Sequence, residues 1–193
     1  MKIPAGNSIF AFLAAAVAVV SPIPVSAAVE DEAANGFTVS ETADIAAAPA
    51  RVYEALLAPA HWWNSAHTYS HDAANLTFDA RAGGCWCEEL PGGGSVQHMV
   101  VVNAIPGKLL RLRGALGPLQ GMAVDGAMTV GLRAAGNHTQ LTLTYAVGGY
   151  AKPGFEELSK AVDSVLGEQT ARLARFIETG SAESAAQTAG KGE

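Results

Sequence analysis

The sequence predicts an α+β domain in which a curved antiparallel sheet of about seven strands wraps round a long C-terminal helix. Short segments of alternating apolar and polar residues, separated by turns rich in Gly and Pro, fill residues 37–147. Two short helical segments follow the first of these strands. One long stretch of helical periodicity, residues 153–177, then closes the domain.

The N-terminus has the layout of a secretory signal peptide. Lys2 precedes the apolar run Ile9–Val20, two prolines then break any helix, and small residues lie at Val25-Ser26-Ala27. The apolar run is too short for a transmembrane anchor, which needs roughly 17 to 25 residues. We therefore expect residues 1–27 to be removed and the mature chain to begin at Ala28, in the periplasm or outside the cell.

The rest of the chain is expected to form one domain with flexible ends. Residues 28–36 and 179–193 are small and polar with little to bury, which predicts two flexible tails around a domain spanning 37–178. Twelve Lys and Arg against 18 Asp and Glu give a net charge of −6, without a basic stripe. We therefore expect no nucleic-acid partner, no membrane span in the mature protein, and a monomer or weak dimer.

The first strand and the two short helical segments are predicted from the alternation of apolar residues and from the positions of two prolines. Residues 37–45 alternate as a first strand, Pro49 opens a short helix through Leu57, and Pro59 ends it. Residues 60–64 are expected to form a second short helix or turn that positions two tryptophans.

Six further strands are expected, at 75–79, 83–90, 95–104, 108–113, 123–132 and 139–147. Pro91-Gly92-Gly93-Gly94 predicts a hairpin between the second and third of these, and residues 116–121 predict an exposed loop. Glycines at strand ends, such as Gly83 and Gly149, are suited to bending the sheet.

The last element is a helix opened by Pro153. Apolar residues, with one Gln, recur in it at spacings of three and four: Leu158, Val162, Val165, Leu166, Gln169, Leu173, Phe176 and Ile177. Arg172 is among the charged residues expected to face water or flank this stripe. This order of elements is that of the helix-grip fold, whose bent sheet leaves a cavity against the helix.

Three segments resemble the START-like superfamily (the SRPBCC proteins, including Bet v 1). They are Ala48–Leu56 (APARVYEAL), Gly83–Glu88 (GGCWCE) and Val162–Leu166 (VDSVL), within a resemblance that covers about residues 37–178. The chain looks most like bacterial members near the polyketide cyclase/dehydrase and Hsp90-ATPase-activator branches. The resemblance implies a hydrophobic cavity for lipids, polyketides or other apolar molecules, used by enzymes and by simple binders. A chaperone-activator role is not expected, because its cytosolic partner would be absent from the compartment that the signal peptide implies.

The segment His61–His71 holds three of the five histidines and two of the three tryptophans. It either walls the cavity or plugs one end of a core. In the first interpretation Trp62 or Trp63, with one of the two facing inward, contributes to the wall beside His67 and Tyr69. No spacing of His and Cys matches a zinc pattern, so we expect neither a metal nor a cofactor.

Cys85 and Cys87 lie two residues apart on a predicted strand. Such residues point to one side with Cα atoms about 6.6 Å apart, near the upper end of disulfide geometry. A bridge would need strain or a local bulge, so two reduced thiols are favoured.

Glu88 and His98 form the one credible acid–base pair. His98 alternates with Val96, Val100 and Val102, which predicts an inward face. If the residue numbers of each cross-strand pair sum to 186, Glu88 lies opposite His98 and Trp86 opposite Val100. A register shifted by one residue sets Cys87 opposite His98 instead. The pair could exchange protons with a ligand or could be a buried structural ion pair.

Three functions remain open from the sequence. The first is binding or carriage of a small hydrophobic molecule of lipid, polyketide or aromatic class. Its candidate lining is Trp62, Trp63, His67, Tyr69, Trp86, Glu88, His98, Tyr145, Val162, Leu166 and Gln169. The second is a cyclase or dehydratase with Glu88 and His98 as acid and base and Tyr69 as hydrogen-bond donor. The third is a protein-interaction module that uses the loop 116–120.

Overall fold

In the part of the chain that the structure describes, eight strands form one antiparallel sheet in the order β1-β2-β8-β7-β6-β5-β4-β3. The computed structural model describes residues 25–152 and 154–184, without the side chains of 25–27, so most of the predicted signal peptide (1–24) and residues 185–193 lie outside the described residues. The strands are β1 (Val25–Ala33), β2 (Gly36–Ile45), β3 (Leu76–Phe78), β4 (Cys85–Leu90), β5 (Gly94–Ile105), β6 (Leu109–Arg113), β7 (Ala123–Ala135) and β8 (His138–Tyr150). The helices are α1 (Pro49–Leu56) and α2 (Glu156–Thr179). The predicted helix-grip architecture is confirmed, with one strand more than the seven expected.

The additional strand is β1, which includes residues expected to form a flexible tail. Ala28 pairs with Ser40 and Val29 with Val39 along the edge of β2. Backbone pairing satisfies the N–H and C=O groups that an open β2 edge would leave to water, and it needs no apolar side chains. A tail prediction made from low hydrophobicity alone therefore misses this strand.

Helix α1 leads into the aromatic segment. Pro49 is its first residue, and its inner face buries Val52 and Leu56 among other residues. A 3₁₀ turn at Pro59–His61 follows and ends directly before Trp62. The indole Nε1 of Trp62 donates to the carbonyl oxygen of Ala55 at 2.8 Å and ties the segment back to α1.

Helix α2 packs mainly on β2 and β1. Leu166, Gln169 and Leu173 of the predicted stripe are buried, and the stripe's other members are partly buried. Arg172, expected to face water or flank the stripe, is only 6% exposed. Its guanidinium is held inside because Nε donates to the carbonyl oxygen of Trp62 at 2.9 Å and Nη2 binds Glu183.

The β4–β5 hairpin contains a bulge that neither predicted register includes. Trp86 is opposite Met99, but beyond it Cys87 is opposite Gln97 and Glu88 opposite Val96, which leaves His98 as the extra residue. The bulge also changes which side chains face inward. Met99 and Val101 are buried, whereas Val102, predicted to face inward, is 46% exposed.

The two cysteines lie on either side of this register shift. Cys85 and Cys87 form a disulfide with their Cα atoms 5.4 Å apart, inside the usual disulfide range and below the spacing of a regular strand. The preference for two reduced thiols is therefore wrong, because it assumed an unbroken strand at this position. The alternation of β4 places the bridge on the face opposite Trp86 and Glu88.

The loop between β6 and β7 differs from the exposed segment expected there. Residues Gly117–Gly121 form a 3₁₀ turn in which Leu119 is only 2% exposed. The side-chain amide of Gln120 donates to the carbonyl oxygen of Gln97 at 3.0 Å. No helix in the described part of the chain is both long and apolar enough to cross a membrane.

Candidate functional site: a closed apolar cavity

A cavity of about 30 Å³ lies between the sheet, α2 and the segment that follows α1. One wall is aromatic: Trp62, Trp63, Phe78 and Trp86. The floor is aliphatic and comes from β6, β7 and β8: Leu110, Leu112, Met128, Val130, Leu141 and Leu143. Leu56 and Pro59 complete the wall, and α2 contributes Leu166, Gln169, Thr170 and Leu173. None of these lining residues is charged.

The three tryptophans of the aromatic wall form an edge-to-face cluster. The ring centroids of Trp62 and Trp63 are 5.5 Å apart, and those of Trp63 and Trp86 are 4.9 Å apart. The expectation that only one of the first two rings faces inward is wrong. Both can be buried because each indole N–H reaches a backbone carbonyl, that of Ala55 for Trp62 and that of His67 for Trp63.

Two hydrogen-bond donors of the lining have no partner among the described residues: Nε1 of Trp86 and Nε2 of Gln169. The other end of the Gln169 amide is used, since Oε1 accepts the backbone N–H of Asn64 at 2.8 Å. A buried donor without a partner costs about 1–3 kcal/mol. The lining side chains thus contain two unsatisfied donors and no unsatisfied acceptor.

The segment His61–His71, called the lid segment below, covers one end of this cavity and is tied to α2 by polar contacts. The side-chain amide of Asn64 donates to Oε1 of Glu168 at 2.6 Å, and Nε2 of His67 is 3.1 Å from Oε2 of the same residue. Both side chains of the His67–Glu168 pair are about one-third exposed. The lid segment is therefore held partly by contacts that water can replace.

Glu88 fastens the far end of the lid segment to the sheet. Its carboxylate is fully buried and accepts the backbone N–H groups of Tyr69 (3.1 Å) and Ser70, as well as Nε2–H of His98 at 2.9 Å. Burial raises the pKa of Glu88, but the hydrogen bonds from Ser70, Tyr69 and His98 outweigh it and the pKa lies below its ordinary value. Glu88 is therefore an ionised anchor.

The imidazole of His98 is oriented by this carboxylate. Burial lowers the pKa of His98 below its ordinary value, although the bond to Glu88 opposes the shift. The rings of Trp86 and Tyr69 lie beside it, with centroids 5.7 and 6.0 Å away. A neutral imidazole held by a buried carboxylate is an arrangement suited to a general base.

The model of the protein family described as "Polyketide cyclase / dehydrase and lipid transport" matches residues 36–178. The chain belongs to this family. Its fold is accordingly that of a ligand-binding or cyclase-like START domain. No curated protein matches the chain significantly.

Solved structures support the same fold. CalU16 from Micromonospora echinospora has a TM-score of 0.53 at 16% identity, over 81% of this chain and 88% of its own. A protein of unknown function from Enterococcus faecalis has a TM-score of 0.55 at 15% identity, over 81% and 78%. The Aha1 dimer from Colwellia psychrerythraea has a TM-score of 0.50 at 17% identity, over 74% and 97%. At these identities the likeness shows the fold alone.

The structure divides the predicted lining residues of this family member into two groups. Trp62, Trp63, Trp86, Leu166 and Gln169 line the cavity. The other six are not among its lining residues: His67, Tyr69, Glu88, His98, Tyr145 and Val162.

Three of the polar rings that do not line the cavity form polar contacts outside it. His67 pairs with Glu168 at the surface, and Tyr69 is 45% exposed with its hydroxyl donating to the carbonyl oxygen of Gly117. Tyr145 is fully buried, but its hydroxyl lies between the carbonyl oxygen of Gly114 and the N–H of Leu116.

The lining residues that sequence reasoning missed come mostly from the sheet. Leu110 and Leu112 alternate along β6, and Met128 and Val130 along β7. That alternation was visible in the sequence, but it does not tell which strands lie under the helix. Among the described residues, no three His, Cys, Asp or Glu side chains cluster as a metal site would require.

Proposed function

We propose that this protein binds or carries a small, neutral, mainly apolar molecule in the cavity between the sheet and α2. The observation that carries the proposal is the pair of unsatisfied donors, Trp86 Nε1 and Gln169 Nε2, in an otherwise apolar lining. A cavity left over from packing has no need of such groups, since each weakens the fold. A ligand oxygen that accepts a hydrogen bond from either group would remove that cost.

The lining selects against charged ligands. Transfer of an ion into this site would leave it without a countercharge, because no lining residue is charged. The aromatic wall offers large flat surfaces, which suit rings and conjugated or aliphatic chains. Ketones, esters, alcohols and quinones of moderate size therefore fit the site better than fatty acids or amines.

Binding requires the cavity to open. Its volume of about 30 Å³ holds about two water molecules, whereas sites for organic ligands are about 300–1,000 Å³. The lid segment carries Trp62 and Trp63, and its contacts to Glu168 are partly exposed. Movement of this segment would enlarge the cavity without unpairing the sheet.

The proposed site of action is outside the cytoplasm. This part of the proposal rests on the signal-peptide pattern of residues 1–27. An exported binder could move poorly soluble molecules between membranes or present them to another protein.

An acid–base enzyme is the alternative that a specific observation favours. His98 is oriented by Glu88 at 2.9 Å and lies against Trp86, which lines the cavity. In that case His98 would be the base and Glu88 its positioning residue, because the Glu88 carboxylate already accepts three hydrogen bonds. His98→Gln would abolish turnover and leave ligand affinity unchanged if this alternative holds.

Native mass spectrometry of the protein purified from an exporting host tests the proposal. We expect a chain that begins at Ala28 and carries a neutral organic molecule, which Gln169→Met retains poorly because it lacks the amide donor. The exposed substitution Glu157→Gln on the same helix is the control and should retain the molecule fully. Equal retention by both variants, or a charged ligand, would contradict the proposal.

A further inference from the structure

A second buried polar cluster, whose residues do not line the cavity, lies between β2 and α2. Glu41 is 0% exposed, and both of its carboxylate oxygens lack a hydrogen-bond partner among the described residues. Oδ1 of Asp163 on α2 is likewise buried and unpartnered. Burial first, and then the negative charge of Asp163, raise the pKa of Glu41 to about 8. Three buried carboxylate oxygens therefore lack a donor.

The residues that the structure describes form no salt bridge with this cluster. No salt bridge found within residues 25–152 and 154–184 includes Glu41 or Asp163. On β8 the residue opposite Glu41 is Leu143, which is apolar. On α2 the nearby Lys160 is exposed and already paired with two glutamates, and on β1 Glu32 accepts a bond from Ser159.

The register of β1 brings the predicted cleavage site to this cluster. Ala27 is directly opposite Glu41, and Ala28 is opposite Ser40. Directly opposed residues of antiparallel strands have their Cα atoms about 4.5–5.5 Å apart, a distance that a glutamate side chain spans. The bond between Ala27 and Ala28 is the one that the signal-peptide pattern marks for hydrolysis.

We propose that the α-ammonium group of Ala28, released by processing, is the missing partner of Glu41 and Asp163. A peptidase adds water across the Ala27–Ala28 peptide bond, which leaves a carboxylate on Ala27 and an amine on Ala28 that takes up a proton. An ammonium group has three N–H donors and no acceptor, and the cluster presents three unpartnered acceptor oxygens. The inference depends on the export part of the proposed function and is independent of the ligand.

Processing would thus complete the β1–β2–α2 layer. Before cleavage, Glu41 avoids an unpaired buried charge by keeping its proton. After cleavage, both carboxylates can ionise around the ammonium, since a buried charge is tolerated when it is paired and hydrogen-bonded. The mature N-terminus then ties the edge strand to the helix.

The reactivity of the Ala28 amine tests the proposal. A chain made to begin at Ala28 is treated at pH 8 with an N-hydroxysuccinimide ester, and acylation of the α-amine is compared with that of exposed Lys108 by peptide mass spectrometry. We expect the α-amine to react roughly fivefold more slowly than in Glu41→Gln, because a rise of about one unit from its ordinary pKa near 8 lowers the free-amine fraction by that factor at pH 8. Lys108 should react equally in both proteins. Equal α-amine rates would overturn the proposal.

Two further proteins keep the test decisive if Glu41→Gln folds poorly. Asp163→Asn should also accelerate acylation of the α-amine. N-acetylated wild type keeps both carboxylates but has no ammonium group, so its urea midpoint should fall below that of the free chain at pH 7. Identical midpoints for the acetylated and free chains, or an exported chain whose first residue is not Ala28, would also overturn the proposal.

Discussion

Glu88 shows how a single buried carboxylate can organise a site from outside it. It accepts the N–H groups of Tyr69 and Ser70 and the ring N–H of His98, and so joins the lid segment to β4 and β5. A residue expected to line the cavity as an acid or base instead holds the cover of the cavity in place.

We predict that Glu88→Gln destabilises the fold by about 3 kcal/mol. The side-chain NH2 group of the glutamine would face the N–H donors that the carboxylate accepts, in a buried site. Urea denaturation at pH 7 measures the change. Glu89→Gln, exposed on the same strand, is the matched control and should change the free energy of unfolding by less than about 0.5 kcal/mol. Equal effects of the two substitutions would contradict an anchoring role.

His98 predicts a loss of stability on mild acidification. Its pKa is lowered in the folded protein, so the unfolded chain binds the proton more readily. The contribution of His98 to the free energy of unfolding should therefore be constant above about pH 6.5 and fall as the pH decreases below it. Glu88, whose pKa is also lowered, adds a further loss below its ordinary value of 4.5.

The variant His98→Gln separates these two contributions. Its urea midpoint should fall less steeply than that of wild type between pH 6.5 and 5. Parallel curves for the two proteins across this range would show that His98 is not the group responsible.

At the residue scale, the sequence identified some but not all of the important side chains. Gln169 is predicted to line the cavity because it lies on the apolar stripe of the helix, and Trp86 because the expected hairpin pairing sets it opposite Val100 on the inward face. Arg172 could not be recognised, because the carbonyl of Trp62 that holds it is 110 positions away. Helical periodicity does not distinguish an arginine that is buried against a residue distant in the sequence from an arginine at the solvent-exposed edge of the apolar stripe.

At the scale of elements, the bulge in β4–β5 determines the hairpin. It sets His98 beside Glu88 without a direct cross-strand pairing, and the register shift lies between the two cysteines of the disulfide. Strand alternation predicts register only where each residue has one partner. The sequence therefore predicted that Glu88 and His98 meet, but not how they meet.

The disulfide should help to hold this bulge in place. We predict that the double substitution Cys85→Ser and Cys87→Ser speeds hydrogen exchange at the amides of Tyr69 and Ser70. Both amides donate to the carboxylate of Glu88, and Glu88 directly follows Cys87 of the bridge. Amides at the centre of β7–β8, such as Val130, serve as the internal control. Unchanged exchange at Tyr69 and Ser70 would show that the bulge persists without the bridge.

At the scale of the whole molecule, element order carried the fold prediction. One strand, two short helical segments, six strands and a long helix leave few alternatives to a sheet wrapped on that helix. The edge strand β1 escaped prediction because it is held by backbone hydrogen bonds along an available edge. The lining residues on the sheet were not predicted, because alternation within one strand does not show where that strand lies in the sheet.

The central claim is that the cavity binds a neutral molecule through Trp86 and Gln169. The most direct test is calorimetric titration with three probes of similar size: acetophenone, ethylbenzene and benzoate. A purely apolar cavity would prefer ethylbenzene, since the ketone must give up hydrogen bonds to water. We predict that wild type binds acetophenone most tightly, that Gln169→Met lowers this affinity roughly threefold to tenfold without weakening ethylbenzene, and that benzoate does not bind. Preference for ethylbenzene or benzoate in wild type, or no binding of any probe, would contradict the claim.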